Sequence, residues 1–345
     1  MTPPLRYANH LLMKAMILRH PASIEHRPLE IADIPTPDPL SEQILIRVKT
    51  CGVCHTDLHT VEGELPLPKL PLIPGHQVVG IIEKVGEDVT KYRSGQRVGV
   101  TWLYSTCGEC QFCRADKENL CIQARFTGYH DDGGYAQYMV VSEDFAFPVP
   151  DDYTDEHVAP LLCGGVIGFR ALRLSRVRAG ERLGLWGFGA SAHVVIQIAV
   201  HWGCQVFVFT RSVEHRRLAE ELGASWVGGP SDAPPCRLHG AIIFAPVGEL
   251  TLNALRVLER AGTVALAGIY MTPIPEIDYM ELLYYERNIR SVTATTRKDA
   301  MDLLLVAPTV PVHTRVQTFP LEDANRALQS LKASRIKGSA VLQVP

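Results

Sequence analysis

Residues 182–201 read RLGLWGFGASAHVVIQIAVH, an apolar run that turns through two glycines and continues with apolar residues at helical spacing. Gly187, Gly189 and Ala192 fit the pattern G-x-G-x-x-A between a strand and a helix. The first glycine permits a tight turn, the second lets the backbone approach a pyrophosphate, and the small third residue lets helix and strand pack closely. The helix N-terminus then faces the anion. The stretch predicts a dinucleotide-binding turn; a glycine turn without a ligand is the alternative.

The segments around this turn alternate between strand and helix patterns. After Pro150, strand-like runs such as CQVFVFT and GAIIFAPV are separated by helix-like runs such as VEHRRLAEELGA. This alternation predicts βαβ units and a parallel, doubly wound sheet. Between Glu42 and Arg97, short β-type runs separated by glycine and proline turns predict an all-β, barrel-like domain. The last part of the chain is expected to return to this β-rich domain, which would make it discontinuous.

Composition and charge favour a globular protein that acts on small molecules. The 345 residues are 46% hydrophobic and 21% charged, with a formal net charge of -3. This balance excludes a basic footprint for nucleic acid or for an anionic membrane surface. Leu183 to Thr210 contains no Asp, Glu, Lys or Arg, but its glycines and histidines favour strand, turn, helix and strand over a membrane span. No signal-peptide pattern is present, so we expect a cytoplasmic protein with residues 1–12 as a loose extension.

The strand after the glycine turn bears on the choice of cofactor. It ends at Thr210, where an NAD site usually carries a carboxylate that binds the ribose 2′-hydroxyl. Without that carboxylate nothing repels a 2′-phosphate, and Arg211, with Arg216 or Arg217, could pair with it. The sequence therefore predicts NAD(P) binding with NADP slightly favoured. The alternative is an arginine that is only a solvated charge.

Four closely spaced cysteines predict a structural metal site. Cys107, Cys110, Cys113 and Cys121 lie in a polar loop region, and the chain has nine cysteines in all. Four thiolates at about 2.3 Å are a usual tetrahedral set for Zn²⁺, and they leave no open position for chemistry. An iron–sulfur cluster is the rival, but the fourth cysteine follows after seven residues and without the proline of ferredoxin runs. The residues favour zinc.

A second set of ligand candidates is dispersed along the chain. Residues 51–59 read CGVCHTDLH, which formally matches a haem-attachment signature, a redox dithiol or half of a zinc site. The candidates for a catalytic zinc with three protein ligands are Cys54, His59, His76 and Cys163. Residue type alone does not choose between the two histidines.

Taken together, these motifs resemble the zinc-dependent alcohol dehydrogenases of the medium-chain dehydrogenase/reductase superfamily. The matching pieces run in the family's order over nearly the whole chain: CGVCHTDLH, LPLIPGH, the four-cysteine lobe, GYHDDGGYAQY, LLCGGV, GFGASAH and TTRKD. The resemblance implies a GroES-like β-rich catalytic domain, residues 1–155 and 296–345 with a zinc lobe at 105–123. A Rossmann cofactor domain, residues 156–295, would complete the α/β fold.

The resemblance also implies roles for individual residues. Cys54, His76 and Cys163 would bind the catalytic zinc. Asp57 would orient the ligand histidine. Thr56 and His59 would form a proton relay through the nicotinamide ribose. Further along the chain, Trp102 would line the substrate pocket, and Arg297 would contact the cofactor pyrophosphate.

The implied activity is hydride transfer between a primary or secondary alcohol, or its aldehyde or ketone, and NAD(P). Zinc would lower the pKa of the bound alcohol so that an alkoxide forms near neutral pH. The family also implies two zinc ions per chain and a homodimer or homotetramer. A zinc-free quinone or enone reductase of the same superfamily and a non-catalytic zinc protein on this fold are the alternatives.

Two positions depart from the family's pattern. Gln77 stands where glutamate commonly follows the ligand histidine, which puts the kinetics of ligand exchange in doubt. Thr210 stands where an acid would favour NAD, which puts that preference in doubt.

Overall fold

The computed structural model describes the backbone from Arg6 and the side chains from Leu11 to Pro345. The strands are β1 Arg6–Leu18, β2 Leu29–Asp38, β3 Gln43–Val53, β4 Gln77–Val85, β5 Arg97–Val100, β6 Leu103–Ser105, β7 Arg125–Phe126, β8 Tyr138–Ser142, β9 Ala146–Pro148, β10 Arg182–Trp186, β11 Gln205–Phe209, β12 Trp226–Gly228, β13 Leu238–Ile243, β14 Leu258–Leu266, β15 Asn288–Ser291, β16 Val316–Pro320 and β17 Ser339–Gln343. The α-helices are α1 His55–Glu62, α2 Gln111–Arg114, α3 Asp155–Val158, α4 Gly164–Leu174, α5 Ala190–His201, α6 Val213–Glu221, α7 Glu249–Val257, α8 Arg297–Thr309 and α9 Ala324–Lys332.

The chain divides into two compact units. The first comprises the residues through Cys163 together with Thr295–Leu304 and Thr314–Pro345, and the second comprises Gly164–Ala294 and Leu305–His313. The domains predicted from the sequence, 1–155 with 296–345 and 156–295, divide the chain at nearby but different positions.

The first unit is built around an antiparallel sheet. Its strands lie in the order β16-β17-β3-β4-β5-β9, and β8 also pairs with β3. β3 is buried along most of its length, so residues such as Ile44, Ile46 and Val48 form the centre of the core. β17 pairs antiparallel with β3, which joins the end of the chain to its first part.

The second unit is a six-stranded parallel sheet. Its order is β12-β11-β10-β13-β14-β15, so the chain moves outward from β10 to β12 and then outward again from β13 to β15. This is the doubly wound order of a Rossmann fold, whose ligands bind where the strand order reverses, here between β10 and β13. The predicted doubly wound parallel sheet is confirmed.

The charge-free stretch from Leu183 to Thr210 forms β10, α5 and β11, as predicted. Most of its apolar residues are buried because both strands lie inside the sheet and α5 packs beside them; Trp202, which follows α5, is exposed. Within residues 6–345 no single helix is long and apolar enough to cross a bilayer; the consecutive helical segments Asp155–Leu162 and Gly164–Leu174 reach that length and composition only as a bent pair.

The expectation of a loose extension over residues 1–12 is wrong for the residues the structure describes, and residues 1–5 lie outside that range. β1 begins at Arg6 and pairs antiparallel with β2, in unbroken register from Leu12 to Leu18. Polar residues interrupt the apolar pattern of this segment, but backbone pairing with a neighbouring strand does not require that pattern on an edge.

Candidate functional site

Helix α1 carries several of the predicted site residues, and its first turn holds two of them in place. Cys54 is the N-cap, and its sulfur accepts a hydrogen bond from the Thr56 amide at 3.3 Å. The Asp57 carboxylate accepts one in return from the Cys54 amide, at 2.9 Å. This reciprocal arrangement is a capping box with cysteine in the place of serine. The helix start therefore fixes both a thiol and a carboxylate at one point.

His76 connects this helix start to a second thiol. Its Nδ1 lies 2.9 Å from Asp57 Oδ1, and its Nε2 lies 3.3 Å from both Cys54 Sγ and Cys163 Sγ. A carboxylate only accepts hydrogen bonds, so Nδ1 carries a proton, and in the neutral ring Nε2 holds the lone pair on the side of the two sulfurs. Asp57 thus sets the tautomer that a metal requires.

The three donor atoms fit a zinc ion. Two ligands of a tetrahedral zinc, one sulfur and one nitrogen, lie about 3.5 Å apart, given bond lengths of about 2.3 and 2.0 Å. The Cys54, His76 and Cys163 donor atoms all lie within 4.8 Å of one another. Two thiolates and one imidazole are a known catalytic set that leaves a fourth position for substrate. These residues could hold a catalytic zinc.

The charges at this cluster are closely coupled. A hydrogen bond from the Cys163 thiol lowers the pKa of Cys54, and the nearby His76 ring lowers it further despite the burial of the site. Burial alone would lower the pKa of His76, but the charges of Asp57 and Cys54 outweigh it and raise that pKa. The cluster therefore stabilises a thiolate, which is the form that binds metal.

The structure separates the two candidate histidines. His76 is buried in the thiol cluster, whereas the Nδ1 of His59, in the last turn of α1, contacts Glu64 Oε2.

Cys51 is fully buried and lies outside both metal-ligand groups found among the described residues. The two cysteines of CGVC are thus not a pair. Glu64 was not predicted as a site residue; the spacing of five positions after His59, with Gly63 between, is the signal that could have indicated it.

Trp102 lies beside the thiol cluster. Its ring centroid is 6.4 Å from that of His76, and it stacks on Phe126 at 4.1 Å with an angle of 19° between the planes.

Gln77 is buried over Gly52, where a Cβ would lie 2.7 Å from Gln77 Oε1. A residue larger than glycine at position 52 would therefore displace the amide.

The four predicted lobe cysteines also converge. The sulfurs of Cys110 and Cys113, and those of Cys121 and Cys107, are 3.5 Å apart, and those of Cys107 and Cys113 are 3.9 Å apart. Sulfurs around a tetrahedral zinc lie about 3.8 Å apart at bond lengths of about 2.3 Å. Hydrogen bonds led by the Cys113 amide lower the pKa of Cys110 to about 6. The four cysteines could hold a structural zinc.

Arg297 has a carboxylate partner within the first unit. Its backbone amide and its Nη2 each donate to Glu118 at 2.7 Å, and its Nε donates to the same carboxylate at 3.1 Å. Glu118 is buried in the zinc lobe, so it neutralises the guanidinium and caps the start of α8. Glu118 was not predicted, and a contact between Arg297 and a pyrophosphate stays a prediction.

The glycine turn in the second unit has the predicted local geometry. Gly187 has a φ of +85°, which favours glycine. Gly189 is the N-cap of α5, and the space that a Cβ would occupy there is open, with no atom within 4 Å. Ala192 is fully buried in the helix. Backbone can therefore approach a ligand at Gly189, as a pyrophosphate site requires.

The residues that follow β11 differ in how well their side chains could reach a cofactor phosphate. Thr210 is buried, and its carbonyl accepts a hydrogen bond from Arg216 Nε at 3.0 Å. Arg211 and Arg217 are exposed. Arg216 is thus occupied by the backbone, which leaves Arg211 and Arg217 as candidates for a 2′-phosphate, and Arg211 is the one that directly follows the strand end.

Known proteins share this architecture and these motifs. Residues 41–151 match the family described as alcohol dehydrogenase GroES-like domain, and residues 192–306 match zinc-binding dehydrogenase. A probable alcohol dehydrogenase, AdhA, of Mycobacterium tuberculosis is 44% identical over 96% of this chain and 97% of its own. The predicted GroES-like and Rossmann fold class is confirmed.

Two solved structures extend the similarity. A cinnamyl alcohol dehydrogenase of Sorghum bicolor has a TM-score of 0.87 and 26% identity, over 96% of this chain and 98% of that one. A protein named CAD from Helicobacter pylori, complexed with NADP(H), has a TM-score of 0.85 and 25% identity, again over 96% and 98%.

Proposed function

Because this chain belongs to the zinc-dependent alcohol dehydrogenases of the medium-chain dehydrogenase/reductase superfamily, we propose that Cys54, His76 and Cys163 hold its catalytic zinc. The enzyme transfers hydride between an alcohol and NAD(P) with the help of zinc. The observation that carries the proposal is the convergence of the three donor atoms, with His76 oriented by the buried Asp57.

The bound groups and the protein divide the chemistry. When bound, zinc would act as a Lewis acid that makes an alcohol hydroxyl more acidic, and the nicotinamide would take up the hydride. The alcohol would then have a proton to give to the protein before the carbonyl compound leaves. The reverse reaction would take the hydride and the proton back. The residues of this chain have to orient the substrate and to move that proton.

Thr56 and His59 are the proposed path of the proton. Thr56 follows the ligand Cys54 by two positions and its amide bonds that sulfur, so its hydroxyl group belongs to the same helix turn as the metal site. His59 lies one turn further along α1, and its side chain is 23% exposed, so it can exchange protons with solvent. A hydroxyl that receives and donates a proton connects substrate to this histidine.

The preference for NADP is part of the proposal. Exposed Arg211 follows Thr210, which replaces the acid that would repel a 2′-phosphate. The similar Helicobacter pylori protein is complexed with NADP(H), which supports the same choice.

The proposed substrates are small to medium primary or secondary alcohols and their aldehydes or ketones. The ring of Trp102, which lies beside His76 and is stacked on Phe126, favours a flat apolar group. The similarity to a cinnamyl alcohol dehydrogenase supports including aromatic alcohols.

The test is a set of initial rates with ethanol, butanol, 2-propanol, benzyl alcohol and cinnamyl alcohol, each with NADP and with NAD. We expect reduction of the nicotinamide with at least one primary alcohol and higher kcat/KM with NADP. Turnover that persists in a preparation free of zinc would favour a zinc-free reductase and contradict the proposal.

We also propose a homodimer or homotetramer. β15 is an edge of the parallel sheet, and the segment of chain between β14 and β15 exposes large apolar side chains: Ile269, Tyr270, Ile274, Tyr279, Met280, Tyr284 and Tyr285. A sheet edge beside an apolar patch is a common place for association. Light scattering should give two or four times the chain mass of 38.1 kDa, and a mass of one chain would contradict the proposal. A cytoplasmic location stays a prediction.

A further inference from the structure

The C-terminal end of α1 folds the chain back onto His59. Gly63 has a φ of +75° and donates its amide to Thr60 O at 3.2 Å, and the Glu64 amide donates to His59 O at 3.0 Å. These two bonds form a Schellman motif, in which the second residue after the helix lies over the residue at the start of its last turn. The motif therefore places Glu64 beside His59 by backbone geometry.

The side chains at this helix end make a polar contact where a Schellman motif usually has an apolar one. Glu64 Oε2 contacts His59 Nδ1 directly, and the side chains of His59 and Glu64 are 23% and 56% exposed. An exposed contact of this kind contributes little to the stability of the fold. The main effect of the contact is thus on the imidazole and not on the fold.

The contact determines which nitrogen of His59 carries the proton. A carboxylate can only accept, so Nδ1 is the donor and, in the neutral ring, Nε2 holds the lone pair. We propose that Glu64 is a positioning residue that holds His59 in this tautomer, so that Nε2 is the atom that accepts the relayed proton. The inference rests on the proposed relay through Thr56 and His59.

Other charged groups around this helix end do not take over that role. The His55 ring centroid is 6.4 Å from that of His59, too far for a direct bond. Lys332 of α9 forms an ion pair with Glu62 at 2.7 Å. This pair raises the pKa of Lys332, and the charges of Glu25 and Glu64 add to the effect. Glu64 is the carboxylate in contact with the ring, whereas the charges of Glu62 and Glu25 act on Lys332.

The proton follows a balanced path. In alcohol oxidation the substrate hydroxyl would release its proton to Thr56, which would give up its own to a ribose hydroxyl of the bound cofactor. The ribose hydroxyl would in turn pass a proton on, and His59 Nε2 would form a bond to it. The imidazolium keeps its Nδ1 proton against Glu64 and then releases the Nε2 proton to water. No electrons move in these steps, since the hydride goes to the nicotinamide.

The first test determines the tautomer of His59 directly and does not depend on catalytic turnover. The enzyme, isolated with its zinc, is labelled with ¹⁵N-histidine, and His59 is assigned among the 13 histidines by its loss in His59→Gln. At pH about 8.5, where an ordinary histidine is neutral, we expect the Nδ1–H form in the wild type and an Nε2–H or mixed form in Glu64→Leu. Leucine keeps the apolar contact that a Schellman motif accepts, so the helix end should persist.

The second test measures alcohol oxidation in the same variants. General base catalysis contributes about 100-fold or more, so we expect kcat in Glu64→Leu to fall at least about fivefold with KM nearly unchanged. Glu64→Gln, whose amide oxygen can still accept from Nδ1–H, should keep most of kcat. Glu25→Gln removes a charge from the same region without touching His59 and should match the wild type.

The outcomes separate this inference from the relay on which it rests. An unchanged tautomer or an unchanged kcat in Glu64→Leu, while His59→Gln slows oxidation, would overturn the role of Glu64 alone. If His59→Gln also oxidises alcohol at the wild-type rate, the relay itself fails and the role of Glu64 fails with it.

Discussion

Asp57 Oδ1 lies 2.9 Å from His76 Nδ1, and both side chains are almost fully buried. The carboxylate belongs to the first turn of α1, which also presents Cys54, and the histidine directly precedes β4. One short helix therefore supplies a proposed metal ligand and the group that orients a second ligand. The geometry of the proposed zinc site depends on this single buried pair.

Asp57→Asn should weaken zinc binding at the proposed catalytic site. The amide can no longer hold the Nδ1 proton of His76 as a charged acceptor does, and loss of such a partner typically costs about 10- to 100-fold in metal affinity. Competition with a chelator measures the affinity. Asp38→Asn, which removes the surface partner of Lys84, is the control. Equal zinc retention in both variants would show that Asp57 does not orient the ligand.

Arg297 and Glu118 should be coupled in stability. Hydrogen bonds to a charged group contribute about 1.5–3 kcal/mol, and the partial exposure of Arg297 reduces this, so we expect each of Arg297→Met and Glu118→Gln to lower the free energy of unfolding by about 1–2 kcal/mol. The double variant should lose less than the sum. Denaturant unfolding of all four proteins measures the coupling, and strict additivity would contradict it. The affinity of Arg297→Met for NADP tests the predicted pyrophosphate contact.

The pair of Glu62 and Lys332 should make stability depend on pH. Burial would raise the pKa of Glu62, but hydrogen bonds from Lys332 and from the Ile24 amide outweigh it and lower that pKa. The pair therefore stabilises the fold above the unfolded-state value of about 4.3, and the stabilisation is lost as the pH falls through the lower folded-state value.

Glu62→Gln should accordingly have a lower Tm than the wild type at pH 7, and the difference between the two Tm curves should shrink as the pH falls from 7 toward 3, because protonation of Glu62 removes the charge on which the pair depends. Glu30→Gln, which removes the exposed partner of Arg19, is the control and should show little change at either pH. A constant difference in Tm from pH 7 to pH 3 would rule out the ion pair as its cause.

Arg211→Ala should reduce the preference for NADP. A charge-assisted hydrogen bond to a phosphate contributes about 1.5–3 kcal/mol, which corresponds to about 10- to 100-fold in kcat/KM for NADP. The value for NAD should hardly change. Arg178→Ala removes an exposed arginine of the same unit that lies before β10, outside the turn after β11, and is the control. An equal loss of kcat/KM with NADP and with NAD would indicate that Arg211 does not bind the 2′-phosphate.

Local sequence patterns predicted the cofactor unit well. The turn at Gly187, Gly189 and Ala192 lies between β10 and α5 because the alternation of apolar runs and glycines is a property of neighbouring residues. The four-cysteine lobe was predicted for the same reason, since its ligands lie within fifteen residues of one another.

Long-range pairings could not be predicted in this way. Glu118 and Arg297 are 179 positions apart, and neither the spacing nor the residue type indicates their contact. By residue type alone His59 and His76 are equivalent ligand candidates; the family resemblance favours His76, and the contacts with Glu64 and with the two thiols separate them in the structure. Which histidine can bind the metal depends on where the backbone places each ring, and the packing of the whole first unit determines that position.

The most direct test of the catalytic zinc site measures zinc content and alcohol turnover in one preparation of Cys54→Ala, with Cys113→Ser as the control that affects the other metal site. We expect Cys54→Ala to keep about one of two zinc ions and its fold, and to lose kcat by at least about 1,000-fold, since a Lewis acid contributes several kcal/mol. Cys113→Ser should also lose one zinc ion but should keep measurable turnover. A Cys54→Ala enzyme that retains both zinc ions and the wild-type rate would contradict the proposed site.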